Sequence, residues 1–92
     1  MSLTSLQFLT DMLARALNQP DQRTQLISEF QRIIWHAEDL PDSWEYTLLR
    51  DLAYDLDFYE PDVKARNEDA SYYGEERLQI EINEALEKLN QR

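Results

Sequence analysis

The chain has 92 residues, no cysteine and a formal net charge of −10, with 42% hydrophobic and 11% aromatic residues. That is the length of one domain. It is too apolar for a disordered acidic tail, and without cysteine it excludes disulfides, thiolate metal sites and cysteine nucleophiles. No apolar run approaches the ~18 residues of a membrane span, and no basic segment followed by an apolar run reads as a secretion signal, so the expected location is the cytoplasm.

Punctuation divides the chain into four helical stretches. Its one glycine, Gly74, and its three prolines, Pro20, Pro41 and Pro61, all fall between periodic segments. The first helix is predicted from about 5 to 17, with Thr4 and Gln7 as a capping box and Leu6, Leu9, Leu13, Ala16 and Leu17 as its buried stripe. The second is predicted from about 22 to 36, with Asp21 as N-cap and Leu26, Ile27, Phe30, Ile33, Ile34 and Ala37 facing inward.

After Pro41, Asp42 and Glu45 read as a cap pair for a third helix from about 43 to 59. Its stripe is Trp44, Leu48, Leu49, Leu52, Leu56 and Tyr59, with Ala53 beside it. Pro61 should stop it, because the residue before a proline disfavours the helical region. Residues 60–72 read as a polar loop. A fourth helix is predicted from about 74 to 89, with Leu78, Ile82, Ala85, Leu86 and Leu89 inward and Glu75 and Glu76 at the positive end of its dipole. The expected fold is all-α, a single domain over 1–92 arranged as an antiparallel four-helix bundle.

Charge is distributed unevenly along these elements. Residues 1–37 carry three acids and three bases, whereas residues 38–92 carry sixteen acids against six bases. The densest stretch, Glu38 to Asp62, holds nine acids and one base, Arg50. A strong negative potential attracts basic partners and repels nucleic acid and anionic membranes.

Most catalytic chemistry is missing. The lone histidine, His36, reads as a cation at a helix C-terminus. There is no glycine-rich phosphate loop, no metalloprotease motif and no Glu-x-x-His pair. The acids from Asp55 to Glu60 lack the turn glycine and the terminal glutamate of a calcium loop. The expectation is a protein that is not an enzyme and has no cofactor and no metal site.

The third helix and the segment after it are more specific. Asp51 and Asp55 share one face, and Asp57, Glu60 and Asp62 come at the helix end and beyond. Like charges four apart cost ~0.2–0.5 kcal/mol per pair, and acids near a C-terminus oppose the dipole. Seven of the ten aromatics gather in the same region: Trp44, Tyr46, Tyr54, Phe58, Tyr59, Tyr72 and Tyr73. Two readings stand. The acids form a solvated face and the rings pack under the 60–72 loop, or acids and tyrosines together form a recognition surface. On the second reading the surface comprises Asp51, Tyr54, Asp55, Asp57, Tyr59, Glu60, Asp62, Glu68, Asp69, Tyr72 and Tyr73.

The run from Leu52 through Tyr54, Asp55, Leu56, Asp57, Phe58, Tyr59, Glu60 and Pro61 to Asp62, with its aromatic-Glu-Pro-Asp turn, is succeeded by a polar spacer. Then comes an amphipathic helix from Gly74 to Leu89. This pattern, over about residues 51–89, resembles the C-terminal half of colicin D-type immunity proteins. The resemblance implies a small acidic helical bundle that binds and blocks the basic nuclease domain of a bacteriocin-like toxin, standing in for RNA. It implies an antitoxin whose partner is a protein; the charge adds the expectation of no direct contact with nucleic acid or membrane, and of the oligomeric states, which the sequence leaves open, a monomer is favoured. The alternatives are an acidic helical adaptor or nucleic-acid mimic binding another basic host protein, and a metal-dependent enzyme built on the carboxylates.

Overall fold

The computed structural model describes residues 6–37 and 40–91. The fold is all-α. It comprises α1 (Leu6–Asn18), a single 3-10 turn (Pro20–Gln22), α2 (Arg23–His36), α3 (Trp44–Leu56), a one-turn α4 (Val63–Arg66) and α5 (Glu75–Asn90). Thr4 and Ser5, and with them the predicted capping box, lie outside the described residues; Gln7 donates its side-chain amide to Asp11 Oδ1 at 2.8 Å. No described helix is long and apolar enough to cross a membrane.

The apolar stripes meet in one core. α1 packs on α2 and α5, and α3 packs on the same two helices. Leu9, Leu13, Ala16, Leu26, Ile27, Phe30, Ile34, Leu49, Leu52, Leu56, Leu78, Ile82, Ala85 and Leu89 are buried together, joined by Met12, Ala53 and Tyr73. Leu6, Leu17, Ile33, Leu48, Tyr59 and Leu86 are half-buried against it. Trp44 departs from its predicted place, being 52% exposed. It is the first residue of α3, one turn before the half-buried Leu48, so the stripe leaves the core before reaching it.

The helix boundaries differ from expectation where tertiary contacts outweigh local preference. Asp21 is not a cap: it lies inside the 3-10 turn begun by Pro20, and Gln22 takes the N-cap position of α2 without a side-chain hydrogen bond. Ser43, not Asp42, occupies the N-cap position of α3, also without a side-chain bond. α3 ends at Leu56 rather than at 59. Its last turn tightens, with Asp57 N bonded to Tyr54 O (3.2 Å), Phe58 N to Asp55 O (3.1 Å) and Tyr59 N to Leu56 O (3.1 Å). The chain leaves the helix because it pairs elsewhere. Tyr73 N donates to Phe58 O (3.0 Å) and Glu60 N to Tyr73 O (2.9 Å), forming a parallel bridge between Tyr59 and Tyr73.

That bridge closes residues 60–72 into a compact loop of the Ω type. The loop's own acids serve its backbone. Glu60 Oε2 accepts from Asp62 N (3.2 Å), Asp62 Oδ1 caps α4 by accepting from Lys64 N (3.0 Å), and Asp69 Oδ1 accepts from Ser71 N (2.8 Å). The guanidinium of Arg66 lies against Gly74, where a Cβ would collide with it.

Two buried polar side chains tie the helices together. A helix leaves its last four carbonyls unbonded. Arg23, 4% exposed, donates from Nε to Ala16 O (2.8 Å) and from a terminal nitrogen to Leu17 O (3.1 Å), placing its charge at the negative end of α1. It also pairs with Glu75 in the first turn of α5 at 3.5 Å. The buried Gln31 of α2 donates to Ala53 O in the last turn of α3 (3.1 Å). Denaturant unfolding should show two stability effects of this packing. Leu52→Ala costs about 2–5 kcal/mol through its cavity. Arg23→Met costs about 3 kcal/mol by stripping hydrogen bonds from two carbonyls, whereas Glu75→Gln costs under about 1 kcal/mol, because Glu75 is 61% exposed and screened.

Candidate functional site

α3 presents an outward ridge of Asp51, Tyr54 and Asp55, spaced three and four residues apart and therefore stacked on one helix face. A groove runs along each side of it. Between α3 and α5 the floor is Leu48, Leu52 and Ala85, and the walls carry Asp51, Asp55, Glu81 and Glu84 against one base, Lys88. This groove encloses about 220 Å³, below the ~300–1,000 Å³ of small-molecule sites, and suits a single side chain. Between α3 and the end of α2 lies a second groove, formed by Ile34, Trp35, Ala37, Leu40, Arg50, Asp51 and Tyr54. Asp51 lines both.

The ridge does not have uniform freedom. Asp51 and Tyr54 are exposed, and the Tyr54 ring stands edge-on to Phe58 with centroids 6.1 Å apart. Asp55 is held from its other side. The hydroxyl of Tyr73 donates to Asp55 O (2.9 Å) and lies 3.0 Å from Oδ2, and Arg77 approaches Oδ1 at 4.0 Å. Arg77 also covers the Tyr73 ring, 4.9 Å from its centroid, and bonds Glu81 through Nε at 3.3 Å. Asp55, Tyr73, Arg77 and Glu81 thus form one connected network that fixes the end of α3 to the start of α5.

The other predicted residues divide by what they touch. Asp57 is exposed at the C-cap of α3, and Glu68 is exposed in the loop. Glu60, Asp62 and Asp69 accept backbone hydrogen bonds within the loop, as described above. Tyr72 lies at the surface, while Tyr73 is buried in the core. Tyr59 is half-buried, its ring 6.4 Å from that of Tyr73.

Both of these tyrosines titrate abnormally high. Burial, then the neighbouring Asp55 charge and hydrogen bond, push Tyr73 far above the usual phenol range. Burial and the charge of Glu75 raise Tyr59, offset in part by the Arg23 guanidinium beside it.

Three contributors were not read from the sequence. Glu81 and Glu84 are ordinary solvent-facing acids of the last helix until α5 packs beside α3. Trp35 lies in the neutral half, and its only signal was an aromatic standing outside the Ile33–Ile34–Ala37 stripe. Among the described residues no three carboxylate or imidazole groups converge closely enough to hold a metal ion. Chemically, carboxylates beside an apolar floor can receive cationic and apolar groups. Comparison with family models, with curated proteins and with solved structures finds no match.

The tyrosine shifts set the alkaline behaviour. A tyrosine raised in the folded state contributes stability that is whole below the unfolded value near ~10 and is lost as pH climbs through the folded value. The melting temperature should therefore not vary with pH through these two groups between pH 7 and about 9, and should fall above about pH 10. Tyr73→Phe should flatten part of that fall and cost about 1–2 kcal/mol at pH 7. An alkaline profile identical to the parent's would remove Tyr73 from the linkage.

Proposed function

We propose that this chain is a non-enzymatic immunity protein that binds and blocks the basic nuclease domain of a bacteriocin-like toxin, presenting carboxylates where the nuclease expects phosphates. The observation that carries the reading is the α3–α5 groove. Asp51, Asp55, Glu81 and Glu84 stand around an apolar floor on two packed helices, with Lys88 as the one base among the groove's lining residues. A nuclease holds a phosphate backbone with lysine and arginine. The alkyl stem of such a residue fits an apolar floor while its charged end reaches the walls.

The packing supports an antiparallel four-helix bundle as the frame of this protein. Each of the four long helices contacts two others, and one short turn joins α1 to α2. The frame is proposed to work as a monomer in the cytoplasm, where a nuclease would meet its substrate. A net charge of −10 opposes self-association as well as contact with nucleic acid. The resemblance of residues 51–89 to colicin D-type immunity proteins supports the same function.

The test is inhibition. The basic C-terminal domain of any toxin encoded beside this chain is titrated with it, and nuclease activity and association rate are followed. Stoichiometric inhibition is expected, with an association rate that falls as salt rises. Asp51→Lys combined with Glu84→Lys should weaken binding at least tenfold without changing the helical spectrum. These two sites are chosen because Asp55 also anchors Tyr73, so its replacement would confound binding with folding. Asp11→Lys, on α1, should change little. A nuclease that stays active at saturating protein would end the immunity reading. Tight binding to a basic protein without nuclease activity would instead favour an acidic adaptor.

A further inference from the structure

We infer that the α2–α3 groove is the apolar anchor of this docking face, and that its occupant is a segment of a basic protein partner bearing an apolar side chain beside lysine or arginine. The inference rests on the proposed reading only for the sign of the partner's charge.

The groove's walls are aromatic and open to water. Trp35 is 50% exposed and Tyr54 is 69% exposed, one on each side of a floor made by Ile34, Ala37 and Leu40. Leaving two large aromatic rings wet forgoes the burial that stabilises a small domain. Tryptophan and tyrosine dominate the energetics of protein interfaces because each brings rigid area at low entropy cost.

Charge selects the occupant. On the α2 side of the ridge, the charged residues among the described lining are Arg50 and Asp51, of opposite sign, beside Ile34, Trp35, Ala37 and Leu40. On the α5 side, four carboxylates line the groove with Lys88 as its one lining base, and Arg77 pairs with two of them, Asp55 and Glu81. Asp51 belongs to both, so the two grooves are adjacent strips of one surface. A complementary partner therefore lays an apolar side chain between Trp35 and Tyr54 and its cations across the ridge from Asp51 toward Glu84. A second copy of this chain carries the same net charge of −10 and is opposed by it, and an anionic membrane or nucleic acid is repelled on the same ground.

The test separates the anchor from the charge. Trp35 and Trp44 are the two tryptophans of the chain, so Trp44→Phe leaves Trp35 as the sole tryptophan, excited selectively at wavelengths where tyrosine does not absorb. This variant is titrated with a synthetic 14-residue amphipathic peptide of leucine and lysine, and with an equally charged peptide in which glutamine replaces leucine. The leucine peptide should shift Trp35 emission to the blue and bind at least tenfold more tightly than the glutamine peptide. By calorimetry, Trp35→Ala and Tyr54→Ala should each weaken the leucine peptide at least tenfold while leaving the melting temperature within a few degrees.

Equal binding of the two peptides, unchanged Trp35 emission, or no binding at all would overturn the inference. Loss of binding in Asp51→Lys/Glu84→Lys, with full binding in Trp35→Ala, would remove the anchor and leave the acidic face standing. A concentration-dependent dimer in sedimentation, abolished by Trp35→Ala, would put a second copy in the groove instead. Failure to inhibit a nuclease, with peptide binding intact, would count against the immunity reading and not against this one.

Discussion

The buried guanidinium of Arg23 joins elements that sequence order keeps apart. It belongs to the first turn of α2, hydrogen-bonds the last carbonyls of α1, and reaches Glu75 at the start of α5, with Tyr59 beside it after α3. A buried charge is costly unless its hydrogen bonds are met. Here the negative end of a helix dipole and a carboxylate meet them. The cost and its offset act together: this cation is tolerable only when the helix ends are correctly assembled around it. A folding error that displaced α5 would strand the charge.

The same device recurs with neutral groups. Gln31 bonds the freed carbonyl of Ala53, and Tyr73 adds a second hydrogen bond to the carbonyl of Asp55, which also accepts from Phe58 N. In each case a side chain from a neighbouring segment bonds a carbonyl in the last turn of a helix, and here helix termination and tertiary packing are one event. For the docking face the consequence is stiffness. α3 is held at its C-terminal end by α2 through Gln31 and by the α5 junction through Tyr73, so Asp51, Tyr54 and Asp55 project from a fixed rod. A partner that meets a preformed row of charges loses less ordering entropy than one that must assemble it.

The division between local and long-range partners explains how much was legible in the sequence. The four long helices arise from apolar residues at helical spacing, and Gly74, Pro20, Pro41 and Pro61 punctuate them. Those signals are local, and burial reinforces them. The errors fall where a long-range partner decides. α3 stops at Leu56 because Phe58, Glu60 and Tyr73 pair, which no spacing within α3 announces. Asp21, Asp42 and Thr4 fitted capping patterns; Asp21 lies inside the 3-10 turn, Ser43 takes the N-cap position expected of Asp42, and Thr4 lies outside the described residues. Asp51 and Tyr54 were readable as neighbours because they share one helix. Glu81, Glu84 and Trp35 were not, since their nearness to α3 comes from how α2 and α5 pack beside it.

Net charge, finally, overstates what this surface offers a partner. Of the acids that make residues 38–92 negative, Glu60, Asp62 and Asp69 hold the loop's own backbone, Asp55 and Glu81 are tied to Tyr73 and Arg77, and Glu75 faces Arg23. Such acids still contribute to the long-range field, which depends on total charge and steers approach. They contribute less to the close contact, where a carboxylate must turn its lone pairs outward. Attraction at a distance and adhesion at contact therefore rest on different residues. Under the proposed reading, many acids across the acidic half would draw a basic partner in, while a few positions around Asp51, together with the rings of Trp35 and Tyr54, would govern how long it stays.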